Sequence, residues 1–282
     1  MSNDKIKEDL PAILERYRDR IEATIKPYLS LNLIPDENLT LWQSKFPGRE
    51  KSPGGFPYLP KGFNYPQTSD GEYLLLLAQI NFAEAPHLEG FLKQGILQFY
   101  IADDDCYGFS NHYSFCELNS PQSNWRVLYF PEPDLNAENL RTDFDFLPEK
   151  YWFETTELEI TKCSAIQWTK KYAPICLEDD SAYKLLLPEI GEAVPFELED
   201  LYEEFTEAYL KILDNEGWYC PLQIGGYSCY FSDDPRICFS EEDPYDTLLL
   251  KISLIESGSL FFYIQSSALA KCDFSKVLYA MA

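Results

Sequence analysis

The sequence predicts a strand-rich α+β fold: a single domain with internal duplication, two halves related by a pseudo-twofold axis, and an amphipathic N-terminal helix. A Gly-Gly pair, a Leu-rich run and a Gly-led aromatic run follow one another from residue 54 and again from residue 225. Aromatic residues make up 16% of the chain, and Tyr and Phe favour pleated, half-buried strands. Two copies that share a sheet can complete each other's core. We therefore expect one domain over residues 31–282, with halves at about 54–130 and 225–282.

The N-terminal segment, residues 1–30, is predicted to be helical and to pack on the body of the protein. Its apolar residues recur at spacings of three and four, which is the pattern of one helix face. They are Ile6, Leu10, Ile13, Leu14, Tyr17, Ile21 and Ile25. The pattern predicts a helix over residues 4–28 with Pro11 in its first turn, where a proline is tolerated.

The first half is predicted to consist mainly of strands. After short strands and turns in residues 31–65, continuous apolar runs predict strands at Tyr73–Ile80 and Ile96–Ala102, both covered on two faces. A short helix, His87–Gln94, is expected between them. A further strand is predicted at Trp125–Phe130.

The second half is predicted to repeat this order after a connecting region. Alternating residues predict a strand at Glu154–Thr161, and an apolar stripe predicts a helix at Glu197–Asp214. Strands follow at Leu248–Ile255 and Leu260–Gln265. A short helix from Ser267 is expected to close the chain.

Several strings resemble the YwqG-like family of bacterial proteins of unknown function. They are GGFPYLPKGF from Gly54, LAQINF from Leu77, GILQFY from Gly95, and later LLLKISL and GSLFFYI. The resemblance covers about residues 40–280 and implies an α+β fold and a bacterial origin, with no agreed activity. Members often carry Trp-Gly-Asp before the last strand, where this chain has residues 256–258 as Glu-Ser-Gly. Any role of that triplet would not carry over.

The net charge of −24 is concentrated after residue 51. Residues 1–51 hold nine basic and nine acidic side chains, so the other 231 residues carry 14 basic against 38 acidic ones. Such a surface repels nucleic acids and anionic membranes, which are themselves polyanions. It would attract a basic protein, although a large net charge also serves solubility alone. The expected partner is therefore a basic protein, not a nucleic acid or a membrane; the oligomeric state stays open.

The cysteine pattern and the N-terminus predict a cytoplasmic, reduced protein. The first ten residues are charged and lack the apolar stretch of a signal peptide. None of the eight cysteines forms a Cys-x-x-Cys pair, and several lie in apolar strings. We expect neither a disulfide nor a metal bound by cysteine, because disulfides are rare in the cytosol and unpaired cysteines pack as small apolar residues.

Residues 103–105 form the strongest candidate for a metal or acid–base site, and we expect no cofactor elsewhere. Asp103 and Asp105 begin an arrangement similar to a calcium loop, and His112 lies downstream. However, the position of the bidentate ligand is Ser114, and an Asp-rich loop at a strand end is commonly a solvated turn. His112 and Cys116 are four residues apart and would face each other only on a helix.

The two Gly-Gly pairs, at residues 54–55 and 225–226, lack the lysine and the helix start of a phosphate-binding loop. Positive φ angles in tight turns explain the pairs more simply.

The leading hypothesis is a non-catalytic binding protein with an acidic surface, such as an inhibitor of a basic toxin, whose interaction residues include Glu199, Glu203 and Glu207. The alternative is an enzyme that uses carboxylates near Asp103–Asp105, with or without the assistance of a metal ion. The sequence identifies no catalytic residue for it.

Overall fold

A computed structural model describes residues 10–110, 116–117, 122–151, 161–177, 179, 182–188, 199–214, 220–229, 234–236, 244–254 and 258–282. Within these residues the chain is rich in strands, and its few helices are short except for one. Eleven strands pair throughout in antiparallel fashion to form one sheet.

The strands are β1 (Lys26–Pro35), β2 (Lys45–Phe46), β3 (Leu75–Asn81), β4 (Ile96–Ile101), β5 (Cys116–Glu117), β6 (Trp125–Phe130), β7 (Ser164–Ala173), β8 (Leu222–Gly225), β9 (Thr247–Ser253), β10 (Ser259–Ile264) and β11 (Val277–Met281). The α-helices are α1 (Arg18–Thr24), α2 (Ala182–Leu186), α3 (Glu199–Asp214) and α4 (Ser266–Leu269). Short 3-10 helices occupy Ala12–Tyr17, Pro53–Gly55, Ala137–Asn139 and Phe274–Lys276.

The sheet is organised around the long antiparallel pair of β1 and β7. On one side of this pair the order is β2, β3, β4 and β6, and on the other side it is β8, β9, β10, β11 and β5. Within each side of the sheet, neighbouring strands follow one another in the chain. The exception is β5, which lies beside β11 and not between β4 and β6.

The sheet curls until its two ends approach each other, so it resembles a nearly closed barrel. The ring of Trp125 in β6 lies 5.6 Å from that of Tyr279 in β11. Phe99 in β4 and Phe262 in β10 are 4.9 Å apart between ring centroids. These side chains belong to one buried cluster that draws residues from β1 to β11. The continuous apolar runs of β3, β4, β9 and β10 are explained by this core on one face and by outer layers on the other.

The N-terminal helices and α3 form a second layer with its own apolar cluster. Leu14, Tyr17 and Ile21 are buried there against Phe205 and Tyr209 of α3. Tyr17 meets Phe205 edge to face, with ring centroids 5.1 Å apart. The apolar stripes predicted for both helices therefore face each other.

The predicted N-terminal helix is too long at its C-terminal end. The helical path covers Ala12–Tyr17 and Arg18–Thr24, and β1 begins at Lys26. Pro11 is the N-cap of the first helical turn, and residues 1–9 lie outside the described residues.

Other predicted elements agree to within a few residues, with two exceptions. Residues 87–94 form turns instead of a helix, because Gly90 adopts a φ of 80°, which no helix allows. The chain ends in strand β11 and not in a helix, since α4 stops at Leu269. Most of the predicted strand Glu154–Thr161 lies outside the described residues.

The expectation that the cysteines form no disulfide is wrong. Cys176 and Cys229 are bonded, with their Cα atoms 5.7 Å apart. The bond connects the apolar cluster of α3 to the segment that follows β8. Sequence spacing did not reveal it because the two residues are 53 positions apart and meet only after the layers pack. None of the helices in the described part of the chain is long and apolar enough to span a bilayer.

Candidate functional site

A cleft opens beside the start of β3, between the 47–57 segment and residues 147–151. It contains about 340 Å³ of empty space, its open mouth included. Most of its wall is apolar, and polar groups come from Glu50, Lys51, Ser52, Tyr65 and Tyr151. The apolar lining is Pro47, Phe56, Pro57, Leu75, Leu76 and Leu147. Only about 30 Å³ of this space is open to a water-sized molecule, so the cleft is a small recess with room for one or two waters.

Two hydroxyl groups in this wall are buried without a well-formed hydrogen bond among the described residues, although the Tyr65 hydroxyl lies beside that of Tyr151. They are the Oη of Tyr65, a residue only 5% exposed, and the buried Oγ of Ser52. Buried polar groups are nearly always satisfied by protein or by ordered water. Each of the two hydroxyl oxygens has less than 1 Å² of accessible surface, so neither is open to a molecule in the cleft.

Electrostatics keep the tyrosine hydroxyls of the cleft neutral. Burial, and then the neighbouring Tyr100 and Tyr151 hydroxyls, raise the pKa of Tyr65 well above its ordinary value. Burial, and then the Asp103 carboxylate, raise the pKa of Tyr151. Near neutral pH both groups are hydrogen-bond donors and acceptors, and neither is a base.

A buried chain of hydrogen bonds joins β3 and β4 and includes Tyr100, whose ring contacts that of Tyr65. The Tyr100 hydroxyl donates to Gln98 Oε1 at 3.0 Å, and Gln98 Nε2 donates to Gln79 Oε1 at 2.7 Å. Gln79 Nε2 in turn donates to the carbonyls of Leu41 and Gln43, each at 2.8 Å. Because Gln79 and Gln98 are fully buried, this network fixes the strands beneath Tyr65.

A buried lysine, Lys45, holds the 47–57 segment of the cleft wall in place. Lys45 is fully buried and donates from Nζ to the carbonyls of Thr40, Gly54 and Phe56 at 2.7, 2.7 and 3.1 Å. Burial lowers the pKa of its ammonium group to about 8. The three carbonyl acceptors indicate a structural role in shaping the cleft wall.

No pattern in the sequence distinguishes the cleft residues. Tyr65 is one of 20 tyrosines, and nothing in its neighbours marks it as different from a core residue. Lys45 gave no signal either, since burial of a lysine depends on carbonyls that only the folded chain brings together.

The candidate interaction residues lie on α3. Glu203 and Glu207 are exposed, and Glu204 beside them is exposed as well. Glu207 pairs with Lys211 at 2.8 Å, whereas Glu203 and Glu204 have no basic partner among the described residues. The Lys211 ammonium lowers the pKa of Glu207. Glu199 begins the helix, and its side chain lies outside the described atoms.

The Asp103–Asp105 loop uses its central carboxylate for the backbone. Asp104 Oδ1 accepts from the N–H groups of Cys106 and Gly108, at 3.0 and 2.8 Å. Asp103 is half-buried, and Asp105 is exposed and accepts from Cys106 Sγ at 3.7 Å. In the described part of the chain no three His, Cys, Asp or Glu side chains come together as a metal site. His112 lies outside the described residues.

The two Gly-Gly pairs differ in backbone conformation. Gly225 and Gly226 have φ angles of 72° and 69°, as the sequence predicted. Gly54 and Gly55 lie in a 3-10 helix without positive φ, so the prediction is wrong for this pair. A Cβ on Gly54 would lie 2.6 Å from the Glu37 carbonyl oxygen, so close backbone packing is the reason for that glycine.

The curled antiparallel sheet with its few helices defines a strand-rich α+β protein. The chain belongs to the family described as Domain of unknown function (DUF1963), whose model matches residues 53–282. No curated protein matches the chain. Strands β1 and β2 precede the matched region, although β1 lies at the centre of the sheet.

Proposed function

We propose that this protein is a non-catalytic binding protein whose acidic outer face on α3 captures a basic protein partner. One concrete form is an inhibitor of a basic toxin, in which exposed carboxylates imitate the polyanion that the toxin binds. The observation that carries the proposal is the pair Glu203 and Glu204, exposed and without a basic partner in the described structure. The net charge of −24 extends the same field over the chain.

Helix α3, which presents these carboxylates, is packed firmly against the rest of the protein. Phe205 and Tyr209 are fully buried on its inner face, and the Tyr209 hydroxyl donates to the Ile175 carbonyl at 2.8 Å. A fixed array of charges steers association more effectively than charges on a mobile chain, because little ordering is needed on binding.

The test is the association rate of a partner isolated from native lysate at low salt. Replacing Glu199, Glu203 and Glu207 with Gln should slow association by about tenfold with a smaller effect on dissociation. Added salt should slow it too, since exposed charges are screened beyond about 10 Å at 0.1 M.

The matched control replaces three exposed carboxylates elsewhere, Glu89, Glu132 and Glu138, with Gln. It changes the net charge equally and should leave association nearly unchanged. If the control slows association as much as the α3 variant, the effect belongs to net charge and not to α3. A partner indifferent to both salt and the α3 changes would leave only a solubility role for the acidity.

A carboxylate enzyme near Asp103–Asp105 receives less support. The Asp104 carboxylate is committed to two backbone N–H groups. Burial and the neighbouring Asp105 and Asp104 carboxylates raise the pKa of the Cys106 thiol, which disfavours a nucleophilic thiolate there.

The internal duplication is also a proposal, and the strand pairing supports it. A twofold axis between β1 and β7 would place β3 on β9 and β4 on β10, given the order of the sheet. Each hairpin has one unpaired bulge residue at the corresponding place, Leu77 in β3 and Leu249 in β9. We propose that the domain over residues 31–282 has two related halves on this axis.

The contacts around the Gly-Gly pairs support the same axis. Lys45 Nζ donates to the carbonyls of Gly54 and Phe56. Gln223 Nε2 donates to those of Gly225 and Tyr227, both at 2.8 Å. Lys45 pairs with Gln79 across β2 and β3, and Gln223 with Lys251 across β8 and β9. In the first half the lysine of the cross-strand Lys–Gln pair donates to the carbonyls of the Gly-Gly segment. In the second half the glutamine of the pair does so.

Within the family, we propose that the chain is one of the YwqG-like proteins and that it comes from a bacterium. The strings from Gly54 to Phe99 support both proposals. A cytoplasmic location is likewise a proposal, supported by the lack of any Cys-x-x-Cys pair and by the apolar strings around several of the eight cysteines. The bonded pair of Cys176 and Cys229 is the observation against it, because disulfides are rare in that compartment.

A further inference from the structure

We propose that the bond between Cys176 and Cys229 is a reversible thiol switch, opened by a dithiol reductant, that controls how firmly the helical layer is fixed to the sheet. The helical layer consists of the N-terminal helices, α2 and α3. As an account of how the acidic face of α3 is regulated, this rests on the function proposed for that face. The carrying observation is the position of the bond, which joins the layer to the sheet and closes the loop that contains α3.

The helical layer has an apolar core of its own. Among the described residues, this cluster draws on the N-terminal helices, α2, α3 and the segments that follow β7 and β8, and it includes no strand residue. The sheet has a separate core around Phe99 and Phe262. Parts of a protein with few shared contacts can open locally while the rest stays folded. The layer can therefore open by itself once its ties to the sheet are released.

The disulfide crosses the boundary between the layer and the sheet. Cys176 belongs to the layer, because it follows Ile175, whose carbonyl accepts from the Tyr209 hydroxyl of α3 at 2.8 Å. Cys229 is held by the sheet, since its carbonyl accepts from Lys251 Nζ of β9 at 3.2 Å. The bond is thus a covalent tie between the two units.

Noncovalent contacts cross the same boundary. The Tyr227 hydroxyl donates to the Thr24 carbonyl at 2.7 Å. Arg236, which lies over the ring of Tyr263 in β10, pairs with Asp179 at 2.7 Å. Water can replace the partners in each of these contacts when the layer opens. The disulfide differs from them because it opens only by a chemical reaction.

The bond closes a loop that holds the whole of α3. Its two cysteines are 53 positions apart, and α2 and α3 lie between them. Closing a loop of this length lowers the population of the open state about a hundredfold, because the open chain loses conformational freedom. Reduction removes this constraint from the acidic face and leaves the pairing of the strands unchanged.

A reductant reaches the bond from the side of Cys229, which is half-buried, whereas Cys176 is 1% exposed. A thiolate of the dithiol attacks the Cys229 sulfur, and Cys176 leaves as a thiolate that takes up a proton. The second thiol of the reductant then displaces Cys229 in the same way. Two cysteine thiols form and the reductant leaves as its own disulfide, so two electrons and two protons pass to the protein.

A reversible bond is compatible with the cytoplasmic location proposed above. Where disulfides occur in that compartment, they are usually transient and often sense the redox state. The bond is also particular to the half of the sheet that adjoins α3. Cys229 lies four residues after Gly225, and the residue four positions after Gly54 is Tyr58.

The test is hydrogen exchange followed by mass spectrometry, on the full chain at neutral pH with and without dithiothreitol. Reduction should speed exchange about tenfold or more in α3 and the N-terminal helices, and should leave β3, β4 and β10 protected. Transfer of the reduced protein into oxidised glutathione should restore the protection as the bond forms again.

Variants assign the effect to this bond. The double variant Cys176→Ser with Cys229→Ser should exchange rapidly in α3 both with and without dithiothreitol. The matched control is Cys272→Ser, which removes an exposed and free cysteine. It should respond to dithiothreitol as the wild type does.

Three results would overturn the proposal. Unchanged protection of α3 on reduction would show that the bond does not hold the layer. Loss of protection throughout the sheet would show that the bond supports the whole fold and is not a switch. A bond that dithiothreitol opens only after urea is added would show that a reductant cannot reach it in the folded protein. Because hydrogen exchange needs no partner, the switch stands or falls separately from the capture of a basic protein.

Discussion

Two buried tyrosines of adjacent segments differ in one hydrogen bond, and that difference governs how each contributes to stability. Tyr100 is fully buried and its hydroxyl donates to Gln98 Oε1 at 3.0 Å. Tyr65 meets Tyr100 edge to face, with ring centroids 5.8 Å apart, but among the described residues its own hydroxyl has only a weak contact, with the Tyr151 hydroxyl. Both rings pack in the same outer cluster, so the comparison isolates the hydroxyl groups.

We predict that Tyr100→Phe lowers the free energy of unfolding by about 1–3 kcal/mol, because the buried Gln98 oxygen loses its donor. Tyr65→Phe should change it by less than about 0.5 kcal/mol or raise it, since only a weak contact with the Tyr151 hydroxyl is lost. Urea denaturation of the ligand-free protein measures both. Equal losses would mean that an ordered water satisfies Tyr65 as effectively as Gln98 satisfies Tyr100.

At the scale of elements, helix α3 combines a structural face with an acidic one. Phe205 is fully buried and contacts Tyr17 and Tyr209 at 5.1 and 5.4 Å. Glu203, two positions earlier, points to solvent. The helix therefore holds the N-terminal segment in place on one side and exposes charge on the other.

We predict that Phe205→Ala lowers the free energy of unfolding by about 3–5 kcal/mol, because truncation of a core aromatic leaves a cavity. Glu203→Gln should change it by less than about 0.5 kcal/mol, as expected for a surface position. Chemical denaturation followed by circular dichroism measures both. A small loss for Phe205→Ala would indicate that this layer unfolds separately from the sheet.

At the scale of the whole molecule, the proposed twofold axis predicts that the position of Lys45 is equivalent to that of Gln223. Its counterpart Gln223 performs the same capping with an amide, which donates to two carbonyls of the corresponding segment. If the two sites are geometrically equivalent, an amide should function at position 45 as well.

Lys45→Gln should therefore be less destabilising than Lys45→Met by about 1–3 kcal/mol, because methionine leaves three carbonyls without their donor, that of Gly54 in a buried position. The free energies of unfolding of the two variants give the answer. If Gln is no better than Met at this position, the two caps are not equivalent and the duplication loses its strongest structural support.

Local patterns determined the elements with the strongest periodicity. The strand at Trp125–Phe130 was predicted to the residue, and the stripe of Phe205 and Tyr209 correctly gave the buried face of α3. Side chains repeat every two residues along a strand and every 3.6 residues along a helix. The spacing of apolar residues in one segment therefore shows which of its faces is buried. Strand β7 was missed because its side chains are mostly half-buried, so no clear period marks it.

Composition and charge patterns from the sequence alone also located the acidic segment that α3 exposes. Only the tertiary structure decided the rest. The β1–β7 pair at the centre of the sheet, the bond between Cys176 and Cys229, and the cleft of Tyr65 and Ser52 each join segments distant in the chain. Pairing partners, burial of a hydroxyl and the supply of carbonyls to a lysine depend on which segments meet. No local pattern contains that information, because it arises from packing.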